Sequence, residues 1–330
     1  MHPSEVLFQG DVPPALLPVC DHYAGSEKLM RKSIALQQEL GPIFDLTFDC
    51  EDGASAGHEA EHARLVGSLI ASADNRYKRI GARVHDAGSR HFERDVAVIC
   101  EAGADKLAYL VLPKPDSLRE VERALRLIDN HARPDLPVHV LIETHGALRD
   151  AHAIAALPQV ECLSFGIMDF VSAHYGAIPA SAMTSPGQFT HPLVVRAKLE
   201  IAAACHANGK VASHNVSTEI ADTGVVARDA QLAAQQFGYM RMWSIHPSQI
   251  RPIVAAFTPA TDEINDAVAI LEAAMAAQWA PIQHKGKLHD RASYRYFWTV
   301  LQRATLSGAA VPAWVNDRHA ADTRKQGAPA

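Results

Sequence analysis

The sequence predicts an α/β fold of the (β/α)8 type, the TIM barrel, followed by a C-terminal helical extension. Eight short apolar runs alternate with helical stretches over about 250 residues, which is the pattern of this barrel. From Arg83 to Pro113 is 30 positions, from Pro113 to Glu143 another 30, and from Glu143 to Asp169 26. Each interval has room for one strand, one helix and two turns. No GxGxxG motif follows the first run, which disfavours a doubly wound dinucleotide-binding sheet.

The predicted strands share one property, an apolar run too short for a helix, which is typical of strands buried on both faces. They are residues 16–20, 44–49, 79–84, 107–112, 138–142, 162–165, 210–213 and 240–245. We place the barrel domain at residues 1–257 and a helical extension with a lid at residues 258–330.

The predicted helices lie between these runs and carry recognisable end signals. Gly41 and Pro42 stop the first helix, a Ser117–Glu120 capping box opens the fourth, and Pro158 closes the fifth. The helices are residues 27–39, 60–71, 92–101, 117–131, 148–157, 193–207 and 225–237, with residues 261–279 and 292–304 in the extension.

Composition excludes several classes of protein. Of the 330 residues, 48% are aliphatic or aromatic and 21% charged, which is ordinary for a soluble globular protein. A net charge of −6 gives no reason to expect nucleic acid or a membrane surface as partner. Five scattered cysteines without a CxxC pair are typical of reduced thiols in a cytoplasmic protein. No apolar run reaches the roughly 18 residues of a spanning helix.

Polar side chains follow most of the predicted strands at the point where each ends. Ligands bind at this end of a parallel barrel, so the pattern predicts an active site there. The residues are Glu51, Asp52, Arg83, His85, Lys114, Glu143, Asp169, His214, Asn215 and His246. With 18 histidines in the chain, His85 and His214 are the weakest candidates.

Two of these acids and one base indicate specific chemistry. Glu143 and Asp169 end neighbouring strands, and two converging carboxylates with room for water suit Mg²⁺ before Ca²⁺. The alternative is that each acid caps a helix or pairs with an arginine. The guanidinium of Arg83 suits a carboxylate or a developing enolate oxygen, and the alternative is an ion pair with Glu51 or Asp52.

A series of motifs in the right order resembles the HpcH/HpaI aldolase/citrate lyase superfamily, in its branch of citrate lyase β-subunit-like proteins, malyl-CoA lyases and citramalyl-CoA lyases. The similarity covers about residues 15–305 and comprises CEDG (50–53), ARVHD (82–86), VLPKPD (111–116), LIETHGAL (141–148), FGIMDF (165–170) and SIHPSQI (244–250). It implies a homo-trimeric or homo-hexameric TIM barrel that makes or breaks a carbon–carbon bond with Mg²⁺.

The resemblance also implies roles for individual residues. Glu143 and Asp169 match the metal ligands, and Arg83 matches the arginine that binds substrate and steadies the enolate. The outer acids that hold metal-bound waters would be Glu51 and Asp52. Within their motifs, Lys114 and His246 are expected to bind substrate.

The C-terminal GKLHD (286–290) resembles the lid motif of acyl-CoA lyases. In that family the acid reaches the active site of a neighbouring subunit, which would make Asp290 a general acid/base. The alternative is that Asp290 is only the N-cap of the following helix. The stretch 283–291 is polar and is expected to be a loop, mobile unless it docks.

Departures from the family pattern weaken the assignment of CoA as acyl carrier. The sequence Pro14-Ala15-Leu16 stands where an Arg-Ser pair is usual, and His85 replaces an asparagine. Arg241-Met242-Trp243-Ser244 replaces a glycine-lysine motif, and His174 stands for an acid.

We therefore expect a Mg²⁺-dependent carbon–carbon lyase. Its substrate would be a 3-hydroxyacyl-CoA or related hydroxy acid, cleaved to a 2-oxo acid and an acetyl or propionyl thioester. Two alternatives stay open: a metal-dependent pyruvate-type aldolase that needs no thioester, and a non-catalytic oligomeric binding subunit.

Overall fold

The structure, a computed structural model, describes residues 1–9, 13–54 and 56–316. The barrel strands are β1 Cys20–Ala24, β2 Asp45–Asp49, β3 Ile80–Arg83, β4 Leu107–Leu112, β5 Val138–Ile142, β6 Val160–Phe165, β7 Val211–His214 and β8 Arg241–Ser244. They pair in parallel in chain order, and β1 pairs with β8, so the sheet closes. The predicted (β/α)8 barrel is confirmed.

The helices, in chain order, are α1 Pro3–Val6, α2 Glu27–Leu40, α3 Glu59–Ala71, α4 Phe92–Gly103, α5 Leu118–Asp129, α6 His145–Arg149, α7 Ala151–Ala155, α8 Ile167–Ser172, α9 Pro192–Ala207, α10 Thr223–Gln236, α11 Pro247–Phe257, α12 Thr261–Ala276, α13 Arg291–Leu306 and α14 Ala313–Asn316. Short 3-10 helices occupy Ala104–Lys106, Ala180–Met183 and Gly187–Phe189. Two further strands, β9 Ile282–His284 and β10 Lys287–His289, form an antiparallel hairpin.

The chain divides into two compact units. The barrel unit is Leu17–Phe257, and the terminal unit combines the described residues of Met1–Leu16 with those from Thr258 to Asn316. The terminal unit has its own apolar core, in which Leu7 joins Leu271, Trp298 and Leu301 from α12 and α13. As a division into domains, the boundary expected after residue 257 stays a prediction.

Alternation along the barrel strands separates two sets of side chains. Leu46, Phe48 and their counterparts on the other strands face the helices and form the large apolar core. The opposite set faces the barrel interior, where Tyr23, Tyr109 and Trp243 lie in a separate small cluster. The interior is therefore filled by side chains, as in other barrels of this type.

A buried charge cluster occupies the interior beneath that aromatic layer. Arg241 is fully buried, with its Nη2 atom 2.7 Å from Asp45 and 3.3 Å from Asp21. The hydroxyls of Thr47 and Tyr109 complete the environment of Asp21 at 2.8 and 3.1 Å. Breaking such a buried pair from one side is costly, so these residues depend on one another.

This cluster explains why the first strand was misplaced. Residues 16–20 were predicted, but β1 is Cys20–Ala24. Its residues Asp21 and His22 are polar and resemble a loop in the sequence, yet both are 2% exposed and carry internal partners. Polar side chains can be buried in a barrel strand when they are paired, Asp21 in the interior and His22 on the side that faces the helices, so the apolar run was the wrong signal here.

Two other expectations were wrong in detail. The single helix predicted over residues 148–157 is two short helices, α6 and α7, because Asp150 leaves helical geometry and accepts the Leu118 N–H at 2.9 Å. The loop predicted over residues 283–291 contains the β9–β10 hairpin, whose turn residues Lys285 and Gly286 both have positive φ, as a tight two-residue hairpin requires.

Among the residues described, no helix is both long and apolar enough to cross a membrane.

Gly81 tests how tightly the barrel interior is packed. A Cβ atom at this position on β3 would lie 2.3 Å from the ring of Tyr109. We expect Gly81→Ala to lower the free energy of unfolding by about 1–3 kcal/mol, since overpacking forces neighbours off their preferred positions. Gly88→Ala is the control, because its Cβ would meet only the Asp86 carboxylate, at 3.1 Å. Equal urea midpoints for the two variants would contradict the packing described.

Candidate active site

Arg83 ends β3, and its guanidinium is fixed by Asp49, the last residue of the neighbouring strand β2. The Nε–Oδ1 and Nη2–Oδ2 distances are 2.7 and 2.6 Å, a bidentate pair. The backbone N–H groups of Glu51 and Gly53 donate to the same carboxylate at 3.0 and 2.7 Å. A carboxylate has about four acceptor positions, and these four donors occupy them. Asp49 therefore orients Arg83 and is not free to bind a ligand.

A chain of alternating charges continues from Arg83 across the barrel mouth. The Nη1 atom of Arg83 is 2.9 Å from Glu51, and the Lys114 ammonium lies 2.5 Å from Glu51 and 2.7 Å from Asp52. Burial raises the pKa of Glu51, although Arg83 and Lys114 act to lower it. Burial also opposes the charge of Lys114, but Asp52 and Glu51 outweigh it and raise the lysine pKa.

Lys114 links this chain of charges to Glu143, the acid that follows β5. Its backbone N–H donates to Glu143 Oε1 at 2.8 Å, from a residue whose φ of 51° lies in the left-handed region that non-glycine residues seldom adopt. Such backbone strain is typical of functional sites. The strained turn thus places one lysine against Glu51 through its side chain and against Glu143 through its backbone.

Glu143 and Asp169 form a pair of acids that make no ion pair with a base among the described residues, although Arg83 and Lys114 lie near enough to act on them by charge. Glu143 is 3% exposed, and burial, followed by the negative charge of Asp169, raises its pKa to about 8. The side chain of Asp169, in the first turn of α8, makes no hydrogen bond or ion pair within the described residues. A Cβ atom at Gly166 would lie 2.0 Å from Glu143 Oε2, so only glycine leaves room for this carboxylate.

This pair fits a hard divalent cation. Carboxylate oxygens are preferred ligands of Mg²⁺, and a cation would relieve both the mutual repulsion and the burial of charge. No group of three or more His, Cys, Asp or Glu side chains suited to a metal occurs in the described part of the chain. Water and substrate oxygens would therefore have to complete the coordination, as is usual for Mg²⁺.

Aromatic rings form the floor below Arg83. Tyr23 stacks on Trp243 with ring centroids 4.6 Å apart and an interplanar angle of 11°. The guanidinium carbon of Arg83 lies 5.6 Å from the centre of the Tyr23 ring, a cation–π contact. These rings separate the mouth from the buried Arg241 cluster.

Three polar groups at strand ends lie outside the charge chain. His85 Nδ1 is 2.5 Å from Asp95, a buried residue of α4. His214 faces the helices, where its Nε2 atom contacts the buried ammonium of Lys198. His246 is exposed and pairs with Ser248 at 2.7 Å. The expectation that His246 binds substrate stays a prediction.

Asp290 belongs to the terminal unit and begins α13. Its Oδ1 atom accepts the N–H groups of Ala292 and Ser293 at 3.0 and 3.4 Å, which makes it an N-cap in this chain. The adjacent hairpin exposes Leu288, which is 74% accessible. The role of Asp290 in proton transfer stays a prediction.

The structure thus brings together Glu51, Asp52, Arg83, Lys114 and Glu143 through direct contacts, with Asp169 acting on Glu143 by charge. Sequence reasoning missed Asp49, because it was counted as part of strand 44–49. Asp49 is the last residue of β2, and Glu143 is the first residue after β5. The same strand-end signal could therefore have identified Asp49. Tyr23 was missed with the misplaced first strand.

The chain is similar to several known proteins. A solved citrate lyase from Burkholderia xenovorans LB400 is 56% identical, with a TM-score of 0.82 over 96% of this chain and 99% of that one. The L-malyl-CoA/beta-methylmalyl-CoA lyase of Rhodobacter capsulatus is 23% identical over 89% of this chain and 96% of its own length. The CitE protein of Mycobacterium tuberculosis, solved with magnesium, acetoacetate and coenzyme A, is 20% identical with a TM-score of 0.64 over 89% and 98%.

The family profile named HpcH/HpaI aldolase/citrate lyase matches residues 40–247, a span that includes Arg83, Lys114, Glu143 and Asp169. The resemblance seen in the motifs is thereby confirmed, as is the expected class of carbon–carbon lyase. The chain belongs to the HpcH/HpaI aldolase/citrate lyase family.

Proposed function

We propose that this protein is a Mg²⁺-dependent lyase that cleaves a 3-hydroxyacyl-CoA thioester, or forms one in reverse. The products would be a 2-oxo acid and an acetyl or propionyl thioester. The observation that carries the proposal is the acid pair Glu143–Asp169, which lacks a directly paired base in the described residues and is joined through Lys114 to a rigidly held Arg83. A cation site beside a fixed guanidinium is what a reaction with a carboxylate and an enolate needs.

Glu143 and Asp169 would hold the cation, whose Lewis acidity would polarise the carbonyl of the 2-oxo acid. Arg83 has five N–H donors, of which Asp49 takes two and Glu51 faces one. The donors that remain would stabilise the oxygen that becomes negative on the thioester side. Because Asp49 holds the guanidinium in place beforehand, little reorganisation is needed as charge develops.

The cleavage requires one proton transfer at each end. A base removes the proton of the C3 hydroxyl, the C2–C3 bond breaks, and its electron pair passes to the thioester carbonyl as an enolate. Protonation at C2 then gives the acyl thioester. We assign the removal of the hydroxyl proton to Asp290, which the lid of a neighbouring subunit would contribute in a homo-trimer or homo-hexamer. Glu51 and Asp52 would hold water at the cation.

The relatives support the choice of a thioester. The Rhodobacter protein is named for malyl-CoA, and the Mycobacterium protein was solved with magnesium and coenzyme A. A screen of CoA thioesters and free hydroxy acids with Mg²⁺, detecting 2-oxo acid release, tests the proposal. Turnover of free acids alone would indicate the pyruvate-type aldolase, and free thiol without 2-oxo acid would indicate thioester hydrolysis. No turnover of any substrate would leave a binding subunit.

The cation site can be tested without turnover. Glu143→Gln and Asp169→Asn should each weaken Mg²⁺ binding at least tenfold in calorimetry, since each removes one charged ligand. Wild-type affinity should also fall as the pH drops below about 8, where Glu143 takes up a proton. Glu61→Gln is the control, because this acid is exposed and pairs with the exposed Arg64. Unchanged affinity in both site variants would place the cation elsewhere.

Arg83 should act mainly in the transition state. Arg83→Lys keeps the charge but loses the planar fork that Asp49 holds, so we expect the barrier to rise by about 2–4 kcal/mol, the range for loss of an oxyanion donor. The kinetic measurement is kcat with saturating thioester, with the exposed Arg64→Lys as control. A near-native kcat in Arg83→Lys would refute this role.

Exchange of the lid between subunits predicts complementation. Asp290→Asn and Glu143→Gln chains, each inactive alone, should regain part of the activity when mixed, since some sites would combine an intact barrel with an intact lid. Circular dichroism and light scattering must first show that both variants are folded and assembled. If chain exchange is demonstrated and no activity returns, Asp290 acts within its own chain or serves only as the N-cap of α13.

A further inference from the structure

The barrel interior holds two tyrosines whose hydroxyl groups differ sharply in their surroundings. Tyr109 bonds to Asp21 at 3.1 Å, to Thr47 at 2.9 Å and to the Leu46 carbonyl at 3.3 Å. The hydroxyl of Tyr23 has no hydrogen-bond partner anywhere in residues 1–9, 13–54 and 56–316, although the residue is only 8% exposed. The hydroxyl oxygen is not fully enclosed and keeps contact with solvent, so a ligand can reach it, and binding sites hold ligands through a few such polar groups.

The ring of Tyr23 is held in place by its neighbours. Trp243 stacks on it at 4.6 Å, and the Arg83 guanidinium carbon lies 5.6 Å from its centre. The position of the hydroxyl is therefore as well defined as that of Arg83. Both groups lie within the same small part of the mouth.

Burial, followed by the negative charge of Asp21, raises the pKa of Tyr23 well above its ordinary value. The phenol therefore keeps its proton at neutral pH and is available as a donor. Arg83 itself retains N–H donors that Asp49 and Glu51 do not use. Two donor groups without internal acceptors thus face one region of the site.

We propose that the Tyr23 hydroxyl donates a hydrogen bond to the substrate oxygen that Arg83 stabilises, the thioester carbonyl oxygen that becomes the enolate oxygen. This rests on the function proposed above. No proton leaves Tyr23, so the step changes no covalent bond of the residue. Tyr23 is then a catalytic residue that completes the oxyanion site together with Arg83.

The test is Tyr23→Phe, which removes one oxygen atom and keeps the stacked ring. We expect kcat/KM to fall about 10- to 100-fold, the effect of losing a hydrogen bond to a developing charge. The urea midpoint should stay nearly the same, because the hydroxyl that is removed has no hydrogen-bond partner within the described residues and reaches solvent. The matched control is Tyr109→Phe, which loses bonded partners and should lower the urea midpoint with little change in kcat/KM.

A second readout isolates enolate formation. Exchange of the C2 protons of acetyl-CoA or propionyl-CoA in D₂O, with Mg²⁺ and a 2-oxo acid present, should slow in Tyr23→Phe by the same factor. Mg²⁺ affinity measured by calorimetry should not change, since Tyr23 is not a cation ligand. Equal loss in exchange and turnover with intact metal binding would support the assignment.

Two outcomes overturn it, and they differ from failure of the proposed function. An active wild type with Tyr23→Phe at full rate would show that the hydroxyl does not touch the enolate oxygen. A urea midpoint lowered as far as in Tyr109→Phe would show that the hydroxyl is bonded within the protein. A wild type inactive on every thioester and hydroxy acid would reject the proposed function, and this inference with it.

Discussion

The contact between Arg83 and Asp49 is the constraint on which the rest of the mouth depends. Asp49 accepts four hydrogen bonds and so cannot turn, which leaves the guanidinium one orientation. Glu51 then meets the outer edge of Arg83, and Lys114 meets Glu51. Since the backbone of Lys114 also donates to Glu143, the orientation set on β2 is transmitted to β5. A change at Asp49 would therefore be felt three strands away.

Charge is not balanced within this arrangement. Five carboxyl groups share the mouth with two basic side chains, the acids being Asp49, Glu51, Asp52, Glu143 and Asp169. The two bases lie on the side of β2 to β4, so Glu143 and Asp169 are left without a directly paired base among the described residues. The raised pKa of Glu143 is the expected result of burial beside a second acid. The two halves of the mouth thus suit different parts of a substrate.

Much of the fold followed from the sequence, because apolar runs and helix end signals recur at a regular spacing. Arg83 and Glu143 were found in the same way, as polar residues at the ends of such runs. Asp21 was not, because it lies outside the apolar run that was taken as the first strand. Arg241 lies within the predicted strand 240–245, but the pattern does not show that it pairs with Asp21. The role of Asp49 depended on geometry between strands, since only the register that sets it beside Arg83 reveals the bidentate contact. Periodicity predicts which residues share an edge, but not which of them touch.

The buried Arg241 cluster also has a kinetic meaning. Arg241, Asp21 and Tyr109 fill the interior and are at most 2% exposed, so no passage runs through the barrel. Ligands must enter and leave at one end. If the proposed cleavage takes place at this mouth, the product bound deeper would leave second. In the synthetic direction the same molecule would bind first.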